Sequence, residues 1–129
     1  MGTKMNRQQL LLLHRELCDN ARELMEKKNH DYSGGKSDED PFLNFTRVER
    51  LGITDTKRGF LVRLTDKISR LITFIDTGMY QVSDEKLEDT ILDLMNYAVL
   101  LYAYTQTEDK KDDYEENSTT RERPYSSIG

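Results

Sequence analysis

Tryptophan is absent from this chain, cysteine occurs once, proline occurs only twice, and there is no long hydrophobic run. The single cysteine, Cys18, excludes an intrachain disulfide. No apolar run approaches the roughly 20 residues needed to span a bilayer. The apolar stretch over residues 10–13 is too short for a signal peptide, so the sequence predicts a cytoplasmic protein without a membrane partner.

An excess of positive charge is also lacking. The net charge is −5, of which residues 107–129 contribute −3 through seven acids and four bases. Neither this region nor the rest of the chain is basic, so binding to duplex nucleic acid through a broad positive patch is not expected. The 129 residues suit one domain with a modest core, for which we expect a homo-oligomer, a dimer or higher.

Helical periodicity dominates the sequence, and no segment alternates apolar and polar residues as a strand would. Four helices are predicted, over residues 6–28, 42–51, 55–77 and 84–105, with Gly52 and Gly78 as stops and Ser83 as the last N-cap. We therefore predict an all-α, four-helix-bundle-like domain over residues 1–106. Residues 107–129 are predicted to form a disordered, polar and acidic tail.

The third predicted helix carries an apolar stripe, expected to face the core, and a charged stripe. The apolar stripe consists of Phe60, Leu61, Leu64, Ile68, Leu71, Ile72 and Ile75. The charged stripe consists of Arg63, Lys67 and Arg70, with Asp66 at its edge. Two interpretations of the charged stripe are open. It is either a solvated surface with weak helical ion pairs, or a phosphate-binding face on which Asp66 joins a metal site.

The fourth predicted helix is nearly all apolar or aromatic over residues 91–104, which is typical of a buried central helix. Asp89, Asp93 and Asn96 nevertheless fall on one face of it. A buried carboxylate without a partner costs several kcal/mol, so such groups are paired or bind a cation. The alternatives are an ion pair with a neighbouring helix, a Mg²⁺ or Mn²⁺ site, or simple exposure.

The segment Asn29–Asp40, with two glycines, is either a surface turn or a third part of a ligand site. Its backbone could approach a ligand closely, and Lys28, His30, Tyr32 and Lys36 could contact phosphate or base. The chain has no P-loop pattern, no His/Cys grouping typical of zinc and no nucleophile beside an evident base.

Four short segments, in this order, resemble the phage and prophage nucleotide-modification-associated domain. They are Lys28-Asn-His-Asp31-Tyr32, Pro41-Phe42-Leu-Asn44-Phe45, Arg63-Leu-Thr-Asp66-Lys67-Ile-Ser-Arg70-Leu71 and Glu88-Asp89-Thr-Ile-Leu-Asp93-Leu-Met-Asn96-Tyr97. The resemblance covers about residues 8–104. That family is similar to the MazG-type all-α nucleoside triphosphate pyrophosphatases, helical oligomers that use Mg²⁺ to cleave between the α- and β-phosphates.

The resemblance implies a Mg²⁺- or Mn²⁺-dependent nucleotide pyrophosphohydrolase in phage-associated nucleotide metabolism, with Asp66, Asp89 and Asp93 as catalytic residues and metal ligands. The residues predicted to bind the nucleotide are Lys28, His30, Asp31, Tyr32, Asn44, Phe45, Arg63, Lys67, Arg70, Asn96 and Tyr97.

Two other functions are weighed beside this one. Lys67 and Arg70 stand where MazG-type enzymes carry glutamates. This difference motivates the hypothesis of a non-catalytic phage protein that binds and sequesters a nucleotide or a cyclic-nucleotide immune signal. A helical adaptor for another protein is the third hypothesis, and the acidic tail with Tyr114 and Tyr125 supports it.

Overall fold

A computed structural model describes the backbone of residues 4–32, 40–82 and 85–116, and the side chains of residues 4–28, 40–80 and 85–108. Its elements are α1 (Arg7–Tyr32), α2 (Leu43–Arg50), α3 (Thr56–Thr77), β1 (Gln81–Val82), β2 (Glu85–Lys86) and α4 (Leu87–Glu116). The prediction of an all-α fold with four helices is confirmed. The two short strands, which were not predicted, pair antiparallel, with Gln81 opposite Lys86 and Val82 opposite Glu85.

Local capping explains where the helices begin and end. Asn6 and Gln9 bond each other's backbone N–H groups through their side chains at the start of α1, at 2.9 and 2.8 Å. Asp55 caps α3 by accepting the Arg58 N–H at 2.8 Å. Gly52 and Gly78, with φ of 74° and 68°, occupy the left-handed conformation that ends a helix.

An aromatic core joins α2, α3 and α4. Helix α4 packs against α1 and α3, and α2 packs against α3. Phe45 of α2 stacks on Phe60 of α3 with ring centroids 4.3 Å apart, and Tyr104 of α4 approaches Phe60 at 6.1 Å. The core among the described side chains also buries Ala21, Phe74 and Leu92. The few buried residues hold α4 centrally between the other helices.

Helix α2 approaches α3 closely at Gly59. A Cβ atom at this position would lie 2.9 Å from Val48 Cγ2. The missing side chain therefore allows the two helices to come together beside the Phe45–Phe60 stack.

The core face predicted for α3 is confirmed only in part. Phe60 is buried and Leu64 and Leu71 are half-buried, but Leu61, Ile68, Ile72 and Ile75 are exposed. Helix α3 also buries Lys67 of its charged stripe, because Lys67 pairs with Asp93 of α4, while Asp66 and Arg70 stay exposed. A fully solvated charged stripe is therefore excluded for Lys67.

Helix α1 buries few side chains. Among its apolar residues at helical spacing, Ala21 is buried and Leu17 and Leu24 are half-buried, but Leu10 and Leu13 are exposed. The second half of α1 lies against α4, where Asn96 bonds the Ala21 carbonyl and Asp93 pairs with Lys28.

The predicted bounds of the fourth helix require correction at both ends. The helix begins at Leu87 rather than residue 84, and its first turn is closed by Asp89, which accepts the Lys86 N–H at 3.0 Å. It continues to Glu116, so the predicted boundary between residues 106 and 107 lies inside α4. No glycine or proline interrupts this stretch, and Glu108 pairs with Lys57 at 2.5 Å. Residues 117–129, and Ser83 with its predicted cap, lie outside the described residues.

None of the helices in the described ranges is both long and apolar enough to cross a membrane.

Candidate functional site

One small cleft, with a cavity volume of about 30 Å³ and open to solvent, lies where α1, α2, α3 and α4 meet. Seven residues that the sequence analysis selected line it: Lys28, Asn44, Phe45, Arg63, Asp93, Asn96 and Tyr97. Four helices, far apart in the chain, thus bring cations, amides and aromatic rings to one place. This composition matches a site for an anionic ligand with a planar group.

Asp93 is the buried charge at the inner wall of the cleft. Its carboxylate accepts from Lys67 Nζ at 2.8 Å and from Lys28 Nζ at 2.9 Å, and the Asp93 and Lys67 side chains are each only 11% exposed. Burial raises the pKa of Asp93, but the hydrogen bonds from Lys67 and Lys28 outweigh burial and hold that pKa below its usual value. These ion pairs join α1, α3 and α4.

The same ion pair shifts the pKa of Lys67 upward, opposite to the shift of Asp93. Burial lowers the pKa of Lys67, but the hydrogen bond to Asp93 and the negative charges of Asp93 and Glu85 together outweigh burial and raise that pKa above its usual value. Both groups are therefore charged at neutral pH, and the hypothesis of an ion pair with a neighbouring helix describes Asp93 correctly.

Glu85 extends this network to the surface. It accepts from Lys67 Nζ at 3.4 Å and pairs closely with Arg70, whose Nε also lies 3.5 Å from Asp66. Burial raises the pKa of Glu85, but the hydrogen bonds and positive charges of Arg70 and Lys67 together outweigh burial and lower that pKa. The sequence placed Glu85 in the first helical turn of α4. The structure instead puts it in β2, where it faces the two cations of α3.

Arg63 is the cation of the cleft that remains open to a ligand. Its guanidinium carbon lies 5.3 Å from the centroid of the Phe45 ring, within range of a cation–π contact. No carboxylate of the described residues pairs with it. Arg63 therefore presents positive charge to the cleft while its plane is supported by an aromatic ring.

Asn96 and Tyr97 fix the α4 wall of the cleft. Asn96 is buried and donates from Nδ2 to the Ala21 carbonyl at 2.9 Å, which leaves its Oδ1 as an acceptor. Tyr97 meets the Phe45 ring edge-on, with centroids 6.0 Å apart. The two residues provide a polar contact and an aromatic surface side by side.

The three predicted metal ligands lie in different surroundings. Asp66 is exposed and faces Arg70, Asp89 is exposed and closes the first turn of α4, and Asp93 lies between two lysines. Within the described side chains, no three His, Cys, Asp or Glu residues are grouped so as to hold a metal ion. The Mg²⁺ or Mn²⁺ site stays a prediction.

Two cleft residues, Met25 and Leu100, were not predicted. Helical spacing could have found them, because Met25 precedes Lys28 by three residues and Leu100 follows Asn96 by four. Lys67 and Arg70 lie behind the cleft, in the ion pairs around Asp93 and Glu85. The side chains of His30, Asp31 and Tyr32, and most of the Asn29–Asp40 segment, lie outside the described residues.

Comparisons of the chain with protein-family models, curated proteins and solved structures found no match. The resemblance to the nucleotide-modification-associated domain therefore stays a prediction from the four motifs.

Proposed function

We propose that this protein binds a nucleotide or a related phosphate ligand in the cleft, without a metal ion as an obligatory part of the site. The observation that carries the proposal is Arg63, which faces the cleft with no acidic partner among the described side chains. Guanidinium groups bind phosphate oxygens through paired, charge-assisted hydrogen bonds. An arginine held on an aromatic ring in a cleft is suited to this role.

Lys28 supplies a second positive charge beside Arg63. Its side chain is 38% exposed, so it can contact a ligand without losing its hydrogen bond to Asp93. Among the described side chains, the cleft and the ion pairs behind it contain four cations (Lys28, Arg63, Lys67 and Arg70) and three carboxylates (Asp66, Glu85 and Asp93), a net charge of +1. This local excess favours an anion in a chain whose net charge is −5.

The uncharged part of the ligand would contact the aromatic and amide side chains. Tyr97 is half-buried and offers apolar surface to a planar base, a contact worth about 1–3 kcal/mol per stacked base in other proteins, while the buried Phe45 ring supports Tyr97 edge-on. Asn44 and the free Oδ1 of Asn96 could pair with the polar edge of the base. A nucleotide can contact both the cationic side chains and the aromatic and amide side chains of the cleft, whereas inorganic phosphate can contact only the cationic ones.

Metal-dependent pyrophosphohydrolysis is the second candidate, favoured by the presence of Asp93 in the same cleft. The charge arrangement supports it less well, because Lys67 and Lys28 already neutralise Asp93 and would have to be displaced by an incoming cation. The sequestering role, its phage association and a cytoplasmic location are parts of the proposal that the motifs alone support.

Isothermal titration calorimetry tests the proposal. ATP, dATP, a cyclic dinucleotide and inorganic phosphate are titrated into the full chain in EDTA, then in Mg²⁺. We expect at least one nucleotide to bind in EDTA, and Arg63→Met to weaken that binding at least about tenfold, or about 1.4 kcal/mol. Arg47→Met removes an exposed arginine of α2 outside the cleft lining and should bind like wild type.

The same samples distinguish binding from hydrolysis. Chromatography after incubation should recover intact nucleotide with and without Mg²⁺. Release of pyrophosphate that requires Mg²⁺ and is lost in Asp93→Asn would establish the hydrolase instead. Absence of binding for every ligand, or equal binding by Arg63→Met and wild type, would overturn the proposal.

A further inference from the structure

The exposed face of α3 forms a regular apolar seam. Its members follow one another at intervals of 4, 3, 4 and 3 residues: Leu61, Thr65, Ile68, Ile72 and Ile75. The aliphatic members are 48–71% exposed in the protomer. The Thr65 hydroxyl donates to the Val62 carbonyl at 2.7 Å, so its methyl group is left for packing. Alternating intervals of three and four are the spacing with which two helices interlock along a coiled-coil seam.

From this seam we propose that α3 pairs antiparallel with α3 of a second copy of the chain. The surface is large enough to mark an interface: with neighbouring Val62, the exposed aliphatic side chains present on the order of 500 Å² of apolar area, within the range of patches that signal interaction sites. A stable interface buries about 800 Å² on each partner, which requires the seam and its flanks together.

A second copy is the occupant that matches the seam. Its own α3 carries the same spacing over 22 residues, so the side chains of each helix fit between those of the other. The chain outside the described residues is a poor alternative. Residues 117–129 contain only two large apolar side chains, Tyr125 and Ile128, against four aliphatic members of the seam.

The helix dipoles and Asp76 set the direction of pairing. Lys57 and Arg58 at the first turn of the seam already pair with Glu108 and Asp55, so they do not decide it. A parallel pair would place two Asp76 carboxylates together at the negative ends of two aligned helix dipoles. An antiparallel pair separates the two carboxylates and opposes the two dipoles favourably. The inference does not depend on the proposed nucleotide binding.

Light scattering coupled to size-exclusion chromatography tests the seam. Wild type should show twice the chain mass of 15.1 kDa. Ile72→Glu should weaken association at least about tenfold, because a charge enters the apolar seam, while circular dichroism shows unchanged helicity. Leu51→Glu, at an exposed position after α2, should remain a dimer. A monomeric wild type, or an equal effect of the two variants, would overturn the inference.

Cysteine crosslinking tests the direction, on a Cys18→Ala background. Ile68 lies at the centre of the seam, so in an antiparallel pair it lies opposite residue 68 of the second copy. Ile68→Cys should therefore form a disulfide between the two copies on mild oxidation. Ile75→Cys should not, because the two positions would lie ~20 Å apart along an antiparallel pair. Equal crosslinking at both positions would exclude antiparallel pairing.

Discussion

Removing Lys67 exposes how much the buried ion pair contributes to the stability of the fold. In Lys67→Met the Asp93 carboxylate, which is 11% exposed, loses a partner at 2.8 Å and keeps only Lys28 at 2.9 Å. Breaking one side of a buried ion pair costs about 3–5 kcal/mol. Lys28 still compensates part of the charge, so we expect the free energy of unfolding to fall by about 3 kcal/mol.

Urea unfolding followed by circular dichroism, at one fixed protein concentration, measures this change. Arg70→Met is the matched control. The Arg70 side chain is 46% exposed, so losing its pairs with Glu85 and Asp66 should cost less than about 1 kcal/mol. The double variant Lys67→Met/Asp93→Leu removes both buried charges and should recover to within about 1 kcal/mol of wild type.

The reasoning would be refuted if Lys67→Met lay within about 0.5 kcal/mol of wild type, the range of ordinary surface substitutions. It would also be refuted if the double variant were less stable than Lys67→Met, because the cost would then come from packing and not from the unpaired carboxylate.

Three further predictions concern stability. Asp55→Ala removes the N-cap of α3 and should cost about 1 kcal/mol in urea unfolding; no loss would contradict the capping role. Gly59→Leu should cost about 1–3 kcal/mol, because its side chain would collide with Val48, and unchanged stability would contradict the close α2–α3 contact. The lowered pKa of Asp93 means that its ion pairs stabilise the fold above its ordinary pKa of 3.8 and lose that effect as the pH falls through the native value. Wild type should therefore lose more stability on acidification than Asp93→Asn, and parallel pH profiles would contradict this.

Local signals made most helix ends predictable from the sequence. Asp55 and Gly78 act on groups within a few residues of themselves, so their effect does not depend on the rest of the fold. The start of α4 was harder to predict from the sequence, because Glu85 pairs antiparallel with Val82 just before the helix begins. The far end of α4 lies beyond its predicted end, because the polar composition after Thr107 favours a disordered segment while no glycine or proline ends the helix there.

The orientation of α3 could not be predicted from its own sequence. The helix has both an apolar face and a charged face, and periodicity assigns the apolar face to the core. In the structure the buried face of α3 takes Phe60 from the apolar stripe and Lys67 from the charged stripe, because the buried Asp93 of α4 pairs with Lys67. Contacts between α3 and α4 decide which face is buried, and the periodicity of one helix carries no information about them.

The sequence predicts most of the residues that line the cleft but not which hydrogen bonds and ion pairs they form. Motif resemblance selected Lys28, Asn44, Phe45 and Arg63 from three different helices, and the fold brings them together. The sequence placed Asp89 beside Asp93 as a metal ligand because the two share a face of the helix. In the structure Asp89 bonds the Lys86 N–H, since the first turn of a helix leaves backbone donors without partners.

A crystal structure of the full chain with a non-hydrolysable nucleotide and Mg²⁺ tests the central claim most directly. We expect phosphate oxygens within hydrogen-bond distance of the Arg63 guanidinium and Lys28 Nζ, the base against Tyr97, and Asp93 still paired with Lys67. A nucleotide bound outside the cleft, or one whose phosphates meet Asp93 through a metal ion while Arg63 makes no contact, would contradict the account.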